Sequence, residues 1–201
     1  LFVNSDAMNA VTTDLSTDAI SKFEALFDSE WGGFGGAPKF PSPSNLEFLL
    51  AHFSKADSLP YREKMVTEEM LKKTLHFMAN GGMYDQLGGG FARYSVDESW
   101  LVPHFEKMLY DNSQLVRIYL HAFQLFNEPI YLRVVQETLS YLEREMLDPQ
   151  GGFYSAQDAD SEGVEGKYFV WTKQEVFNVL GADSEVFCEA MGITETGNFV
   201  D

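Results

Sequence analysis

Eleven side chains able to move protons, carry charge or stack on a flat ligand fall between Gly81 and Asn112. They are Tyr84, Asp85, Arg93, Tyr94, Asp97, Trp100, His104, Glu106, Lys107, Tyr110 and Asp111. A loop that merely joins two helices has no use for such a set, and loops on a rigid scaffold are where sites sit. The imidazole of His104, which follows Pro103, suits proton transfer to or from a sugar carbon or hydroxyl. Asp85, Glu106 and Asp111 are candidate carboxylate acids or bases. Asp158 and Asp160, in a separate acidic stretch, extend that set toward a glycosidase-like carboxylate pair. Trp31, Phe34, Tyr84, Trp100 and Tyr154 offer faces for stacking on sugar rings. Lys39, Arg93, His104 and Lys107 form a basic set in an acidic chain. They hold an anionic group or pair with nearby acids. A helix read from about Phe105 places Glu106 and Tyr110 four apart, and Lys107 and Asp111 four apart. On the plainer reading His104 caps that helix and Lys107–Asp111 is a solvated ion pair.

Other motifs fall short of a known site. Asp158-Ala-Asp-Ser-Glu-Gly163 imitates the start of a calcium loop, but Phe169 stands where the bidentate Glu belongs. The acidic hairpin turn is the favoured reading there. Leu87-Gly-Gly-Gly90 lacks the context of a phosphate-binding fingerprint, and its glycines suit close backbone packing. Neither a cofactor nor a metal is called for. The net charge of -17 disfavours nucleic acid and anionic membrane surfaces as partners. No apolar run reaches membrane-spanning length, and no basic-then-apolar leader is read at the start. Cys188 is the single cysteine. It is read as a small core residue, and its isolation fits a reducing, cytoplasmic compartment.

The elements that must position these groups are mainly helical. Ser16 or Thr17 is a plausible cap for a helix carrying Ile20, Phe23, Leu26 and Phe27. Ser44 caps a second with Leu46, Leu49, Leu50 and Phe53. A third runs from about Tyr61 to Asn80. The fourth spans about Phe105 to Phe126, with an inward stripe of Phe105, Met108, Leu109, Val116, Tyr119 and Phe123. Pro129 opens a fifth, bearing Tyr131, Val134, Val135, Thr138, Leu139, Leu142 and Met146. Phe105, Leu109, Val116, Val135, Leu139 and Leu142 are expected to be buried between these last two. Two hairpins are expected, Phe91–Val96 with Trp100–Val102, and Phe153–Ala156 with Lys167–Trp171. Thr172 caps a helix to about Leu180, and Asp183 or Ser184 begins the last.

Gly-Gly followed by an aromatic recurs at Gly32-Gly33-Phe34, Gly89-Gly90-Phe91 and Gly151-Gly152-Phe153, with a variant at Gly81-Gly82-Met83-Tyr84. Helix, glycine-aromatic loop, hairpin, helix is the unit of an α/α toroid. The loops at Gly32, Gly81 and Gly151 are therefore expected to meet at one mouth, with Trp31, Lys39, Tyr84, Asp85, Arg93, Trp100, His104, Glu106, Tyr110, Asp111, Tyr154, Asp158 and Asp160 as candidate lining.

Three segments, in this order, also carry a resemblance. Gly32-Gly-Phe-Gly-Gly-Ala-Pro-Lys-Phe-Pro41, the Gly81–Asn112 block and Gly152-Phe-Tyr-Ser-Ala-Gln-Asp-Ala-Asp-Ser-Glu162 resemble the YyaL-like, spermatogenesis-associated protein 20-like family. The resemblance implies a thioredoxin-like domain followed by an (α/α)6 toroid, similar to N-acylglucosamine 2-epimerases and six-hairpin glycosidases. No thioredoxin-like βαβ pattern or Cys-x-x-Cys is found here. About half of the roughly dozen helices of such a ring are present. The chain is thus expected to be a single piece, the first half of the toroid, and its unpaired apolar surface to favour self-association. The resemblance carries no assigned reaction. Three functions remain open. One is a sugar-converting enzyme, of epimerase, isomerase or glycosidase type. Another is a non-catalytic module binding a carbohydrate or a partner and serving the thioredoxin-like domain. The third is a structural half-ring.

Overall fold

A computed structural model describes residues 14–198. Among the described residues, seven α-helices carry the fold: α1 (Asp14–Leu26), α2 (Pro43–Phe53), α3 (Tyr61–Asn80), α4 (Leu109–Phe126), α5 (Pro129–Tyr141), α6 (Lys173–Leu180) and α7 (Ser184–Met191). Between α3 and α4 lie β1 (Tyr94–Ser95), β2 (Pro103–His104) and β3 (Lys107–Met108). Between α5 and α6 lie β4 (Ala156–Gln157), β5 (Asp160–Ser161) and β6 (Val164–Glu165). All three pairings are antiparallel: β1 with β2, β3 with β4, and β5 with β6.

Local chemistry explains most of the helix ends. Pro43 and Pro129 each start a helix, where their missing N–H costs nothing. Asn127 closes α4 in the left-handed conformation at φ 53°, so α4 folds straight back into α5. Thr172 and Glu175 form a reciprocal capping box on α6. The main apolar cluster is drawn from successive helices, and a smaller one of Tyr141, Leu142 and Met146 lies at the end of α5. Leu46, Leu49 and Leu50 come from α2, and Met70, Leu71, Leu75 and Met78 from α3. Leu115, Ile118, Tyr119 and Ala122 come from α4, and Tyr131, Val134 and Val135 from α5. Helix α4 packs on α2 and α5, α3 on α1 and α2, and α6 on α7. Cys188 is buried, as expected of a small core residue.

Several expectations are corrected. Helix α4 starts at Leu109, because residues 103–108 are extended rather than helical. Its buried stripe is Leu115, Ile118, Tyr119 and Ala122, while Val116 and Leu109 are only half-buried. Leu139 is 46% exposed, and Thr138 and Tyr141 are the buried residues of that turn of α5. Helix α5 ends at Tyr141 and continues as a π-helical turn, Leu142–Met146. Helix α2 starts at Pro43, so Ser44 lies inside it. The expected pairing of Phe153–Ala156 with Lys167–Trp171 is absent; β4 pairs with β3 instead. Lys167–Trp171 forms no strand, and the Phe169 and Val170 amides turn back onto the Gly166 carbonyl. Asp158–Glu165 does contain the acidic hairpin, with Glu162 and Gly163 at φ 55° and 78° in its two-residue turn.

These assignments separate by mutation. Leu115→Ala should lower the unfolding free energy by about 2–5 kcal/mol through lost burial and a cavity. Leu139→Ala should change it by less than about 0.5 kcal/mol. Urea denaturation of the two variants checks both, and equal losses would refute the burial assignment.

Candidate functional site

The glycine-aromatic loops interlock. The Trp100 indole donates to the Trp31 carbonyl at 3.0 Å. Lys39 and Ser95 exchange backbone hydrogen bonds at 2.7 and 2.9 Å. The loop after Gly151 joins them through the β3–β4 pair. Glycine is required where the chains touch. A Cβ on Gly82 would lie 1.9 Å from the Leu101 carbonyl, and one on Gly89, at φ +76°, would lie 2.5 Å from that of Glu137 on α5. Asn112 reads both backbone groups of Phe91, its Oδ1 accepting at 2.7 Å and its Nδ2 donating at 3.0 Å. Asp97 ties the β1–β2 turn by accepting from the amides of Ser99, Leu101 and Val102.

Extended backbone over 103–108 sends alternate side chains to opposite sides. Pro103, Phe105 and Lys107 are buried on one side, while His104 and Glu106 stay half-exposed on the other. On the half-exposed side, His104 Nδ1 lies 2.6 Å from Glu165 Oε1, and Nε2 lies 3.8 Å from Glu106 Oε2. Glu106 also accepts from Arg93 Nη1 at 3.0 Å. Tyr94, the cross-strand partner of His104, stacks on its ring at 4.9 Å. Phe40 packs on Tyr94 at 4.8 Å. The Tyr110 side chain lies near Arg93 and Asp111 and acts on both. Burial pushes the Asp111 carboxyl from its usual 3.8 up to about 6, although the Arg93 charge pulls it down. Its Oδ2 is buried and has no hydrogen-bond partner.

The structure therefore gathers His104, Glu106, Arg93, Tyr110 and Asp111 among the sequence candidates. Tyr94 of the Gly81–Asn112 set joins them, and the structure adds Glu165 and Phe40. Asp160 is directly opposite Glu165 in the β5–β6 pair, and Asp158 is exposed and accepts from the Asp160 amide. His104 is a strand residue, so the helix-cap reading fails, and Glu106 and Tyr110 do not share a helix face.

The remaining candidates have other surroundings. Lys107 is no solvated partner of Asp111. It is 3% exposed and donates to Asp85 at 2.8 Å and to the Gly89 carbonyl at 2.9 Å. Burial holds the Lys107 ammonium below its usual range. Burial raises Asp85, but the Lys107 charge and the Gly88 and Leu87 amides outweigh it, and the carboxyl stays low. Lys39 and Trp100 are fully enclosed, and Lys39 binds Asp28 and the Gly32 carbonyl. Tyr84 is buried and donates to Glu137. Trp31 is half-buried on Phe77, and Tyr154 donates to Asp148. None of these six aromatic or cationic candidates packs on His104; Tyr94 does, with Phe40 behind it.

A cavity of about 760 Å³ lies on the other side of the 103–108 segment, with Phe105, Lys107, Asp85, Val176, Leu180 and Met191 in its wall. It is wide and mostly apolar, and its charged groups already satisfy each other, Asp85 with Lys107 and Glu195 with Lys173. The convergent titratable groups are on the opposite face, which is the better candidate site. Among the described residues, no His, Cys, Asp and Glu side chains are grouped to hold a metal ion, and no helix is long and apolar enough to cross a membrane.

Helical hairpins whose glycine-rich loops crowd one mouth define a class, and the solved structures agree with it. The chain superimposes on a sugar epimerase from a ruminal bacterium with TM-score 0.57 and 17% identity, covering 86% of this chain and 48% of that one. Cellobiose 2-epimerase from Spirochaeta thermophila gives TM-score 0.55 and 20% identity, covering 74% of this chain and 41% of that one. The fold is that of the (α/α)6 toroids. No model of a known protein family matches the chain. Spermatogenesis-associated protein 20 of Homo sapiens is 43% identical over 86% of the chain, and the Mus musculus protein is 38% identical over 94%. The chain belongs to the spermatogenesis-associated protein 20 family. It spans about a quarter of the length of these relatives, 24% and 26%.

Proposed function

We propose that the His104 cluster binds a sugar at the toroid mouth and moves a proton on it, in the manner of an aldose–ketose isomerase or a 2-epimerase. The observation that carries this reading is His104, held at Nδ1 by Glu165 at 2.6 Å with Nε2 directed toward Glu106. A carboxylate accepting from Nδ1–H fixes the tautomer in which Nε2 is the base, and it stabilises the imidazolium that forms. Nε2 takes the proton from the carbon beside the carbonyl of an open-chain sugar. The C–H electron pair becomes the new C–C π bond, and the carbonyl pair moves onto oxygen. Arg93 is the nearest cation to balance that charge. The proton of the neighbouring hydroxyl passes to the former carbonyl oxygen, giving the enediol its new carbonyl, and return of the carbon-bound proton to the adjacent carbon completes an isomerisation, for which one imidazole is sufficient on carbon. Return to the opposite face would be epimerisation and needs a second donor. The exposed Phe40 ring, backed by Tyr94, offers a stacking ledge for the carbon face of the sugar.

Hydrolysis by a carboxylate pair is less well supported, because Glu106 and Glu165 are each engaged by Arg93 or His104. A purely structural role leaves unexplained why four titratable side chains stay half-exposed on one face. The likeness of fold to sugar epimerases supports the sugar class by analogy only. Incubating the intact protein with a panel of reducing sugars in heavy water tests the proposal. Deuterium should enter at the carbon beside the carbonyl, as read by proton NMR. No incorporation into any sugar, with no sugar bound, would overturn it.

We also propose that Phe177, Val179, Val186 and Met191, which are exposed on α6 and α7, are covered by further helices of the ring. The coverage of only 41–48% of the epimerase chains supports this.

A further inference from the structure

Of Glu106, Glu165 and Asp111, only Asp111 makes no ion pair. Glu106 has Arg93, and Glu165 has His104. Asp111 is 7% exposed and leaves Oδ2 without any hydrogen bond. A buried carboxylate oxygen without a donor is costly. Arg93 is close enough to act on Asp111 by charge, and the Tyr110 side chain lies near both of them. The guanidinium is 43% exposed, with five donors, and reaches Glu106 through Nη1 alone. It is free to turn. Resting on the reading of this face as a sugar site, we propose that Asp111 is a second seat for the Arg93 guanidinium. Proton gain or loss at Asp111 then decides whether Arg93 is held on Glu106, beside His104, or drawn off it.

The groups facing Asp111 are Arg93 from the loop before β1, Glu106 from the segment between β2 and β3, and Tyr110 from its own helix. With Asp111 protonated, its neutral carboxyl has little pull, and Arg93 stays on Glu106. That is the arrangement described above. With Asp111 ionised, the orphaned oxygen and its charge compete for the guanidinium. Arg93 then swings toward α4, and Glu106 is left to face His104 Nε2 and a sugar hydroxyl. Asp111 is thus a positioning residue, acting on the site through Arg93 rather than by touching the ligand.

The test has two readouts on the intact protein. Guanidinium NMR of Arg93 needs no ligand. In the wild-type protein its resonance should titrate with a midpoint near that of Asp111, about 6. In Asp111→Asn it should stay at the low-pH, Glu106-bound position throughout. Deuterium exchange into sugar should change by about tenfold across the same midpoint, the scale of one charge-assisted hydrogen bond. Asp111→Asn should flatten that profile. An Arg93 resonance that does not move through the midpoint in the wild-type protein overturns the switch, whatever the variant does. An Arg93 titration that persists in Asp111→Asn overturns it also. A switch seen by NMR with no sugar exchanged at any pH leaves the second seat standing and overturns the sugar-site reading.

Discussion

Lys39→Ala should destabilise the protein by about 3–5 kcal/mol, the scale of a buried charge pair broken from one side. The lysine is fully enclosed, and its ammonium donates to Asp28 Oδ2 and to the Gly32 carbonyl at 2.9 Å. It also lies 5.4 Å over the Trp100 ring, a cation–π contact between two fully buried side chains. Its removal strands Asp28 and the Gly32 carbonyl and hollows out the seat of Trp100, whose indole joins the first loop to the second. Guanidinium or urea unfolding measures the loss, and a change below about 1 kcal/mol would show that the pair is not holding the loops. The acid side has a defined sign. Burial raises the Asp28 carboxyl, but the Lys39 hydrogen bond and two backbone amides outweigh it and hold it below its usual 3.8. A depressed acid contributes stability above the unfolded value and loses it as pH falls through the folded one. The wild-type protein should therefore weaken below about pH 3.8, and Asp28→Asn should remove part of that slope.

Helices α3, α5 and α6 were legible in the sequence because their signals are local. Tyr61 to Asn80 keeps one apolar period throughout, Pro129 can only open a helix, and Thr172 with Glu175 is a capping pair three residues apart. The start of α4 misleads because Phe105, Met108 and Leu109 fit a helical stripe. Pro103-His-Phe-Glu-Lys-Met108 equally alternates, and the alternation is what the chain uses. Lys107 hides that pattern, since a buried lysine reads as a polar position. Lys167–Trp171 misleads in the opposite direction. Its aromatic and β-branched residues favour a strand only where a neighbouring strand offers an edge, and β3 takes β4 instead.

The site divides along the same line. His104, Glu106, Arg93, Tyr110 and Asp111 lie close in sequence, so their company could be read. Glu165 is 61 residues from His104 and meets it only because the β5–β6 hairpin folds over β2. A glutamate in an acidic turn carries no mark of that meeting. Lys39, Tyr84 and Trp100 misled for a shared reason. Large amphipathic side chains beside glycines look like ligand contacts, yet the glycines there make room for these same side chains in the core, as Gly33 does for Trp100.

His104→Ala carries the largest expected effect on activity. If Nε2 is the base, deuterium exchange into sugar should fall by about 10²–10⁴-fold, the range for a lost general acid–base group. The fold should be little disturbed. His104 is half-exposed, ends a two-residue strand and contributes mainly its stack on Tyr94, worth about 0.5–1.5 kcal/mol. Glu165→Gln is the discriminating companion. It keeps the size of the side chain and removes the charge that orients and stabilises the imidazolium. Exchange should fall by about 10-fold or more, while binding of a non-reacting sugar alcohol changes little. A purely structural His104–Glu165 contact predicts the reverse: a lower melting temperature in both variants and no selective loss of exchange. Glu165 acts through His104, so the double variant should be no slower than His104→Ala alone. Additive losses would place Glu165 on the substrate in its own right and remove His104 as its intermediary.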